Sequence, residues 1–166
     1  PSMDLMQLCG AVKNRYDDAT VLERPQEILI DVIGLGSGVV DRLREQNLPV
    51  RGVNVAEAPS TKKNYLNLRA ELWFAVKDWL VARDCRLPDD DELASELASP
   101  QYKYNSNGKI KIESKDEMRK RGIKSPDKAD ALALTMASSA ASFSGSESVF
   151  GYNFKKPLKS RIIRVG

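Results

Sequence analysis

Three aspartates are the residues of this sequence best suited to metal chemistry. Asp31 interrupts the apolar, β-branched run 28–33, and Asp127 and Asp130 lie three residues apart in the apolar segment 125–137. A carboxylate within an apolar element is costly unless it is paired or binds a metal. If the two elements are neighbours, the acids converge, and convergent carboxylates favour hard cations such as Mg²⁺ or Mn²⁺.

Each of these acids also has a simpler interpretation. Asp31 could accept backbone N–H bonds from the glycine turn that follows it. Asp127 and Asp130 share one face of a predicted helix, and Asp127 falls in the first turn, where an acid complements the helix dipole. The residues alone leave both interpretations open.

The sequence contains no histidine. This excludes a His-based triad, a His general base and most zinc sites. Cys9 and Cys85 lack CxxC spacing, which favours reduced thiols in a cytosolic protein without a metal role. Any acid–base or metal chemistry must therefore use carboxylates, lysines or hydroxyls.

Three glycines, Gly34, Gly36 and Gly38, follow the apolar run. They give G-x-G-x-G, whereas a dinucleotide fingerprint needs G-x-G-x-x-G and a phosphate loop needs a following G-K-[ST]. We interpret them as a tight strand-to-helix turn with no bound cofactor. A nucleotide-binding α/β domain remains a rival hypothesis.

Positive charge is uneven along the chain, whose net charge is +3. Residues 103–128 hold nine Lys/Arg against four Asp/Glu, and residues 151–166 hold five Lys/Arg and no acid. A polyanionic partner or a solvated surface would each explain this pattern. No apolar run reaches the ~18 residues of a transmembrane helix.

The elements that must position these residues follow from local patterns. A helix at 39–46 between apolar runs at 28–33 and 50–55 predicts a β–α–β unit with parallel strands covered on both faces. A long helix at 67–84 is predicted to bury Leu72, Val76 and Trp79. Asp89 should cap a short helix, and Asn107-Gly108 should form a hairpin turn. Ser114 with Glu117 should form the capping box of a helix that ends at Gly122, and Ser125 should start the next helix.

Three ordered blocks resemble a known family. They read "ILIDVIGLGSGVVDRL", "NLRAELWFAVKDWL" and "GKIKIESKDEMRKRGIKSPDKADALALT", and they span about 28–137. Together they resemble the nuclease domain of the large terminase subunit of tailed phages and prophages. The resemblance implies an α/β, RNase H-like mixed sheet flanked by helices, here with an added β-hairpin. It also implies a two-metal DNA endonuclease, a hydrolase that cuts concatemeric viral DNA.

The resemblance implies roles for particular residues. Asp31 and Asp127 match catalytic metal ligands, and Asp130 is a neighbouring ligand of Mg²⁺ or Mn²⁺, with Asp127 favoured as the direct one. Four basic residues are candidates for contact with the DNA backbone, against a solvated helix face as the alternative: Lys115, Arg119, Lys120 and Arg121. The implied partners are double-stranded DNA and the terminase ATPase domain, small subunit and portal, in the cytoplasm of the bacterial host and without a membrane.

The sequence also departs from the family pattern. It opens at the family's first helix, so we expect a partial nuclease domain at 1–142 that lacks the leading strands and their metal-binding Asp. Residues 143–166 should form a Ser/Gly linker and a basic tail. We expect this fragment to be weak or inactive alone, with at most one loosely held metal and a sheet edge open to self-association. The alternative is a non-catalytic module that binds DNA or the portal.

Overall fold

The computed structural model describes residues 3–60, 64–83 and 85–141. The predicted linker and basic tail at 143–166 lie outside the described residues, so the predicted boundary at 142 stays a prediction. The chain divides into two compact units, with the change at Val55–Ala56. Across the described ranges, no helix is both long enough and apolar enough to cross a membrane.

The first unit contains the predicted β–α–β arrangement. Its strands β1 and β2 pair in parallel, with Ile28 opposite Val50 and Asp31 opposite Val53, and helix α2 connects them. The parallel pairing confirms the prediction, although both strands end two residues earlier than expected. The elements are α1 (Leu5–Asp18), β1 (Ile28–Asp31), α2 (Gly36–Glu45) and β2 (Val50–Val53).

The core of the first unit lies between α1 and α2. Cys9 and Val12 of α1 are buried together with Val39 and Leu43 of α2, and half-buried apolar residues of both strands pack against them. Leu43 is fully buried. Asp4 begins α1 with a capping box in which its side chain accepts the N–H of Gln7. The amphipathic spacing of both helices therefore decides how the unit folds.

The glycines form the predicted turn. Gly34 has φ +72°, a left-handed conformation that side chains rarely adopt. Gly36 begins α2 so close to β1 that a Cβ atom there would lie 1.7 Å from the carbonyl oxygen of Asp31. A Cβ at Gly38 would meet Leu5 Cδ1 at 2.8 Å. The three positions thus serve the change from strand to helix and the packing of α1.

The second unit is helical with one hairpin. Strands β3 and β4 are antiparallel, with Tyr102 opposite Ile112, and Gly108 in the turn has φ +71°. This confirms the hairpin. The elements are α3 (Leu68–Val81), α4 (Asp91–Ala98), β3 (Tyr102–Tyr104), β4 (Ile110–Ile112), α5 (Lys115–Lys120) and α6 (Asp127–Ala141).

Helix termini in the second unit follow the sequence signals only in part, since α3 ends at Val81 rather than at residue 84 and α6 begins at Asp127 rather than at Ser125. The Ser114–Glu117 capping box is present at α5, and Gly122, with φ +74°, follows its end. The predicted cap of α4 at Asp89 is wrong, because Asp90 is the N-cap and accepts the N–H groups of Glu92 and Leu93. Adjacent aspartates offer equivalent caps, so the sequence signal could not separate them.

Helix α6 is the packing centre of the second unit. Both α3 and α4 contact it, and its alanines at positions 129, 133 and 137 are buried. Small side chains at this spacing form a stripe that lets neighbouring helices approach closely. On α3 the buried aromatic residue is Trp73, 7% exposed, whereas Trp79, predicted to be buried, is half-buried.

The glycine turn allows a direct stability test. Gly36→Ala is expected to lower the free energy of unfolding by roughly 1–3 kcal/mol, because the new methyl group meets a backbone oxygen of β1. Gly10→Ala is the matched control, since nothing lies within 4 Å of its added Cβ within α1; it should raise that free energy by roughly 0.5–1 kcal/mol. Urea denaturation measures both, and a Gly36→Ala variant as stable as wild type would contradict the close approach.

Candidate metal centre

The first turn of α6 brings two of the predicted site residues together. Asp127 begins the helix, and Asp130 follows on the same face. The Lys115 ammonium lies 3.1 Å from Asp127 Oδ1 and 3.6 Å from Asp130 Oδ2. The predicted shared face is therefore confirmed, and one cation already bridges the two carboxylates.

Asp130 is the more firmly held carboxylate. Its Oδ1 accepts hydrogen bonds from Arg69 Nε at 3.3 Å, Arg69 Nη2 at 3.1 Å and Trp73 Nε1 at 2.9 Å. The side chain is 22% exposed. The sequence analysis identified neither Arg69 nor Trp73 as a partner of Asp130. The available signal was a basic residue one turn before a tryptophan in an apolar helix, since a buried indole N–H requires an acceptor.

Asp127 is more open to solvent. Its side chain is 75% exposed, and its Oδ1 accepts hydrogen bonds from the Ser125 hydroxyl at 2.6 Å and from Lys115. Desolvation by neighbouring atoms alone would raise the pKa of Asp127, but the hydrogen bonds from Ser125 and Lys115 outweigh it and keep that pKa below its ordinary value. Asp127 is therefore ionised at neutral pH and accessible to a cation.

Helix α4 fixes the start of α6 from another direction. Glu96 Oε2 accepts the backbone N–H groups of Lys128 at 2.7 Å and Ala129 at 2.9 Å. The Lys128 ammonium pairs with Asp90, at 3.1 Å, and with Glu92. The N–H groups of a first helical turn have no partner within their own helix. A carboxylate from α4 therefore caps the segment that carries Asp127 and Asp130.

The four basic residues predicted to contact DNA lie in different surroundings. Lys115 is half exposed, Arg119 is 75% exposed and pairs with Asp116, and Lys120 is exposed. The Arg121 guanidinium instead donates two hydrogen bonds, of 2.7 and 2.6 Å, to the buried carboxylate of Glu113. These contacts fit Arg119 and Lys120 to an external anion better than Arg121, whose charge is already matched.

Asp31 lies in the first unit, at the last position of β1. It is exposed, and its Oδ1 accepts the backbone N–H of Ile33 at 3.1 Å. The expectation of a carboxylate in a strand covered on both faces is wrong, because β1 residues are half-buried and Asp31 is at the open end. The simpler interpretation, a bond from the following turn, is present. The predicted convergence of Asp31 with Asp127 joins residues of two units and stays a prediction.

Few of the described carboxylates lie close enough together to hold a cation. Within residues 3–60, 64–83 and 85–141, no group of three or more His, Cys, Asp or Glu side chains could hold a metal ion. Asp127 and Asp130 form a pair of hard oxygen donors. Such a pair fits an ion like Mg²⁺, which keeps several waters and commonly takes one or two carboxylates together with substrate phosphates.

The described elements define the RNase H-like fold of nuclease domains from phage terminase large subunits. The predicted α/β class and the resemblance are confirmed at the level of the fold. Comparisons with protein-family models and with curated proteins gave no match.

Particular solved structures share this fold. The nuclease domain of the large terminase subunit gp2 of bacterial virus Sf6 is 24% identical, with TM-score 0.58, and the match covers 80% of this chain and 70% of that chain. A point mutant of that domain with manganese and beta-thujaplicinol gives 24% identity, TM-score 0.63 and coverage of 81% and 73%. A mutant with calcium gives 23% identity and TM-score 0.59, and the match covers 80% of this chain and 70% of that chain.

Acid should weaken the charge network beside the site. Hydrogen bonds from Lys103 and from Ser114 lower the pKa of Glu117 far below its ordinary value of 4.5. A carboxyl whose pKa is lower in the folded state adds stability above pH 4.5, and this stability is lost as the pH falls towards the folded-state value. Glu117→Gln keeps the capping box but not the charge. We expect its unfolding free energy to fall less than that of wild type between pH 6 and pH 3.

The control for this pH test lies on the same helix. Asp116 is 79% exposed and pairs only at the surface with Arg119. Asp116→Asn removes the same charge from α5 without touching the Lys103 and Lys111 contacts of Glu117. Urea denaturation series at several pH values compare the three proteins. Parallel curves for wild type and Glu117→Gln would contradict the stabilising role of the network.

Proposed function

We propose that this chain is the metal-dependent DNA endonuclease domain of a terminase large subunit, a hydrolase acting on concatemeric viral DNA. The observation that carries this proposal is the pair Asp127 and Asp130 at the start of α6, within a fold shared with terminase nuclease domains. The Sf6 domains solved with manganese and with calcium support a divalent cation as cofactor.

The proposed ligands are Asp31, Asp127 and Asp130. Each offers carboxylate oxygens, which are the donors that Mg²⁺ and Mn²⁺ prefer. Two such ions, when bound, would activate a water and stabilise the leaving oxygen of a phosphodiester. The chain itself holds the carboxylates in place. Hydrogen bonds from α3 hold Asp130, and a carboxylate of α4 holds the first turn of α6.

The basic residues beside the carboxylates are proposed to bind the DNA backbone. Arg119 and Lys120 are the better supported, because both are exposed, whereas Arg121 is paired with Glu113 and Lys115 with the two carboxylates of α6. Contacts of this kind position the duplex and carry no sequence information. The proposal includes double-stranded DNA as substrate, the host cytoplasm as location, and the terminase ATPase domain, small subunit and portal as partners.

Substitution of the acids tests the metal role. Asp127→Asn and Asp130→Asn should each weaken Mn²⁺ binding by roughly 10-fold or more, measured by isothermal titration calorimetry on this chain. Asp31→Asn should abolish Mn²⁺-dependent nicking of supercoiled plasmid by the parent protein. The reason in each case is that an amide replaces a charged oxygen donor while the side chain keeps its shape.

Matched controls separate metal binding from general loss of charge. Asp116→Asn in α5 and Asp41→Asn in α2 change exposed acids that pair only with surface arginines, and both should behave as wild type. Unchanged Mn²⁺ affinity in Asp127→Asn and Asp130→Asn would contradict the proposal. Salt-sensitive DNA binding that ignores metal and survives Asp31→Asn would instead support the non-catalytic DNA-binding module.

Lys115 competes with a divalent cation for the same two carboxylates. Removal of its ammonium by Lys115→Met should therefore tighten Mn²⁺ binding by about 10-fold, the scale of neighbouring-group effects at metal sites. Lys120→Met is the control, because it removes an exposed cation that makes no ion pair with Asp127 or Asp130. Calorimetry with MnCl₂ compares the variants, and weaker binding by Lys115→Met would show that the ammonium supports the site.

A further inference from the structure

The Asp130 carboxylate is held unevenly. Its Oδ1 accepts all three hydrogen bonds from α3, two from Arg69 and one from Trp73, at 2.9–3.3 Å. Its Oδ2 lies 3.6 Å from the Lys115 ammonium, which also contacts Asp127. Oδ1 is therefore occupied by protein donors, whereas Oδ2 faces the Lys115 ammonium.

Both donors on α3 are themselves fixed. Arg69 Nη1 donates to the carbonyl oxygen of Glu113 at 2.7 Å, and the guanidinium carbon lies 5.9 Å from the centroid of the Trp73 ring. The Arg69 side chain is 16% exposed, and Trp73 is 7% exposed. Because the two residues are four apart on one helix, they act from one face. Their donors define the orientation of the carboxylate plane.

We propose that Arg69 and Trp73 are positioning residues of the metal centre, and that they fix Asp130 so that it binds a divalent cation through Oδ2 alone. The inference rests on the proposed metal-dependent function. It assigns to Asp130 the role of the preset ligand, whereas Asp127, which is more exposed, must be ordered when the cation binds. Fixing a ligand in its bound orientation reduces the entropy lost on binding.

A purely structural role for these contacts predicts a different result. In that case Arg69 and Trp73 only join α3 to α6, and their loss lowers the free energy of unfolding without changing the metal affinity of the folded protein. A positioning role predicts lower metal affinity in molecules that remain folded. The two quantities can be measured separately on the same variants.

Trp73→Phe is the decisive substitution, because it removes the indole donor and keeps an aromatic ring in the core. Trp79→Phe is the matched control on the same helix. Electron paramagnetic resonance titration with MnCl₂ on the 166-residue chain, with folding checked by circular dichroism, gives the dissociation constants. We expect Trp73→Phe to raise the constant about 10-fold and Trp79→Phe to leave it within about twofold. Arg69→Lys should retain more affinity than Arg69→Gln.

A second measurement needs no metal. The indole N–H resonance of Trp73 should move in Asp130→Ala, because the hydrogen bond to Oδ1 is lost, while that of Trp79 should not. A Trp73 resonance unchanged by Asp130→Ala would overturn the contact itself and thus the inference. If Trp73→Phe fails to fold, this readout still tests the contact, and the Mn²⁺ affinities of Arg69→Lys and Arg69→Gln test the positioning role.

The outcomes also separate this inference from the function on which it rests. Equal Mn²⁺ affinity in Trp73→Phe and Trp79→Phe, with a wild type that binds Mn²⁺, would overturn the positioning role and leave the proposed function standing. A wild-type chain that binds no Mn²⁺ would overturn both.

Discussion

The first turn of α6 is fixed by hydrogen bonds that come from two other helices. Asp130 accepts three bonds from Arg69 and Trp73 of α3, and Glu96 of α4 accepts two backbone N–H groups of the turn. Unpaired N–H groups at a helix start and a partly buried carboxylate are both costly when unsatisfied. The Glu96 carboxylate of α4 accepts the N–H groups of this turn, and donors of α3 satisfy the Asp130 carboxylate. The packing of the three helices therefore also sets the position of the acids.

Charge pairing around this turn divides the basic residues into two groups. Arg121 and Lys128 are held by acids of their own unit, Glu113 for the first and Asp90 with Glu92 for the second, so they stabilise the scaffold. Arg119 pairs only at the surface, where an ion pair contributes little and is screened by salt. A basic segment of sequence is thus partly internal support and partly available to an anion.

In the first unit, helix α2 begins very close to the end of strand β1. Gly36 has no side chain because the carbonyl oxygen of Asp31 occupies that space. The same turn gives the Asp31 carboxylate a backbone N–H partner and leaves it exposed at the carboxyl end of a parallel strand. In α/β folds this end is where ligands commonly bind.

The sequence by itself determined what depends on neighbouring residues. The parallel β–α–β unit, the hairpin, the capping box of Ser114 and the shared face of Asp127 and Asp130 all follow from patterns a few residues long. Only the tertiary structure decided that Asp130 is held by α3, since its bond to Arg69 joins residues 61 positions apart. It also decided that Trp73 is buried and Asp31 is exposed. Such features depend on which faces pack together, and a local pattern does not contain that information.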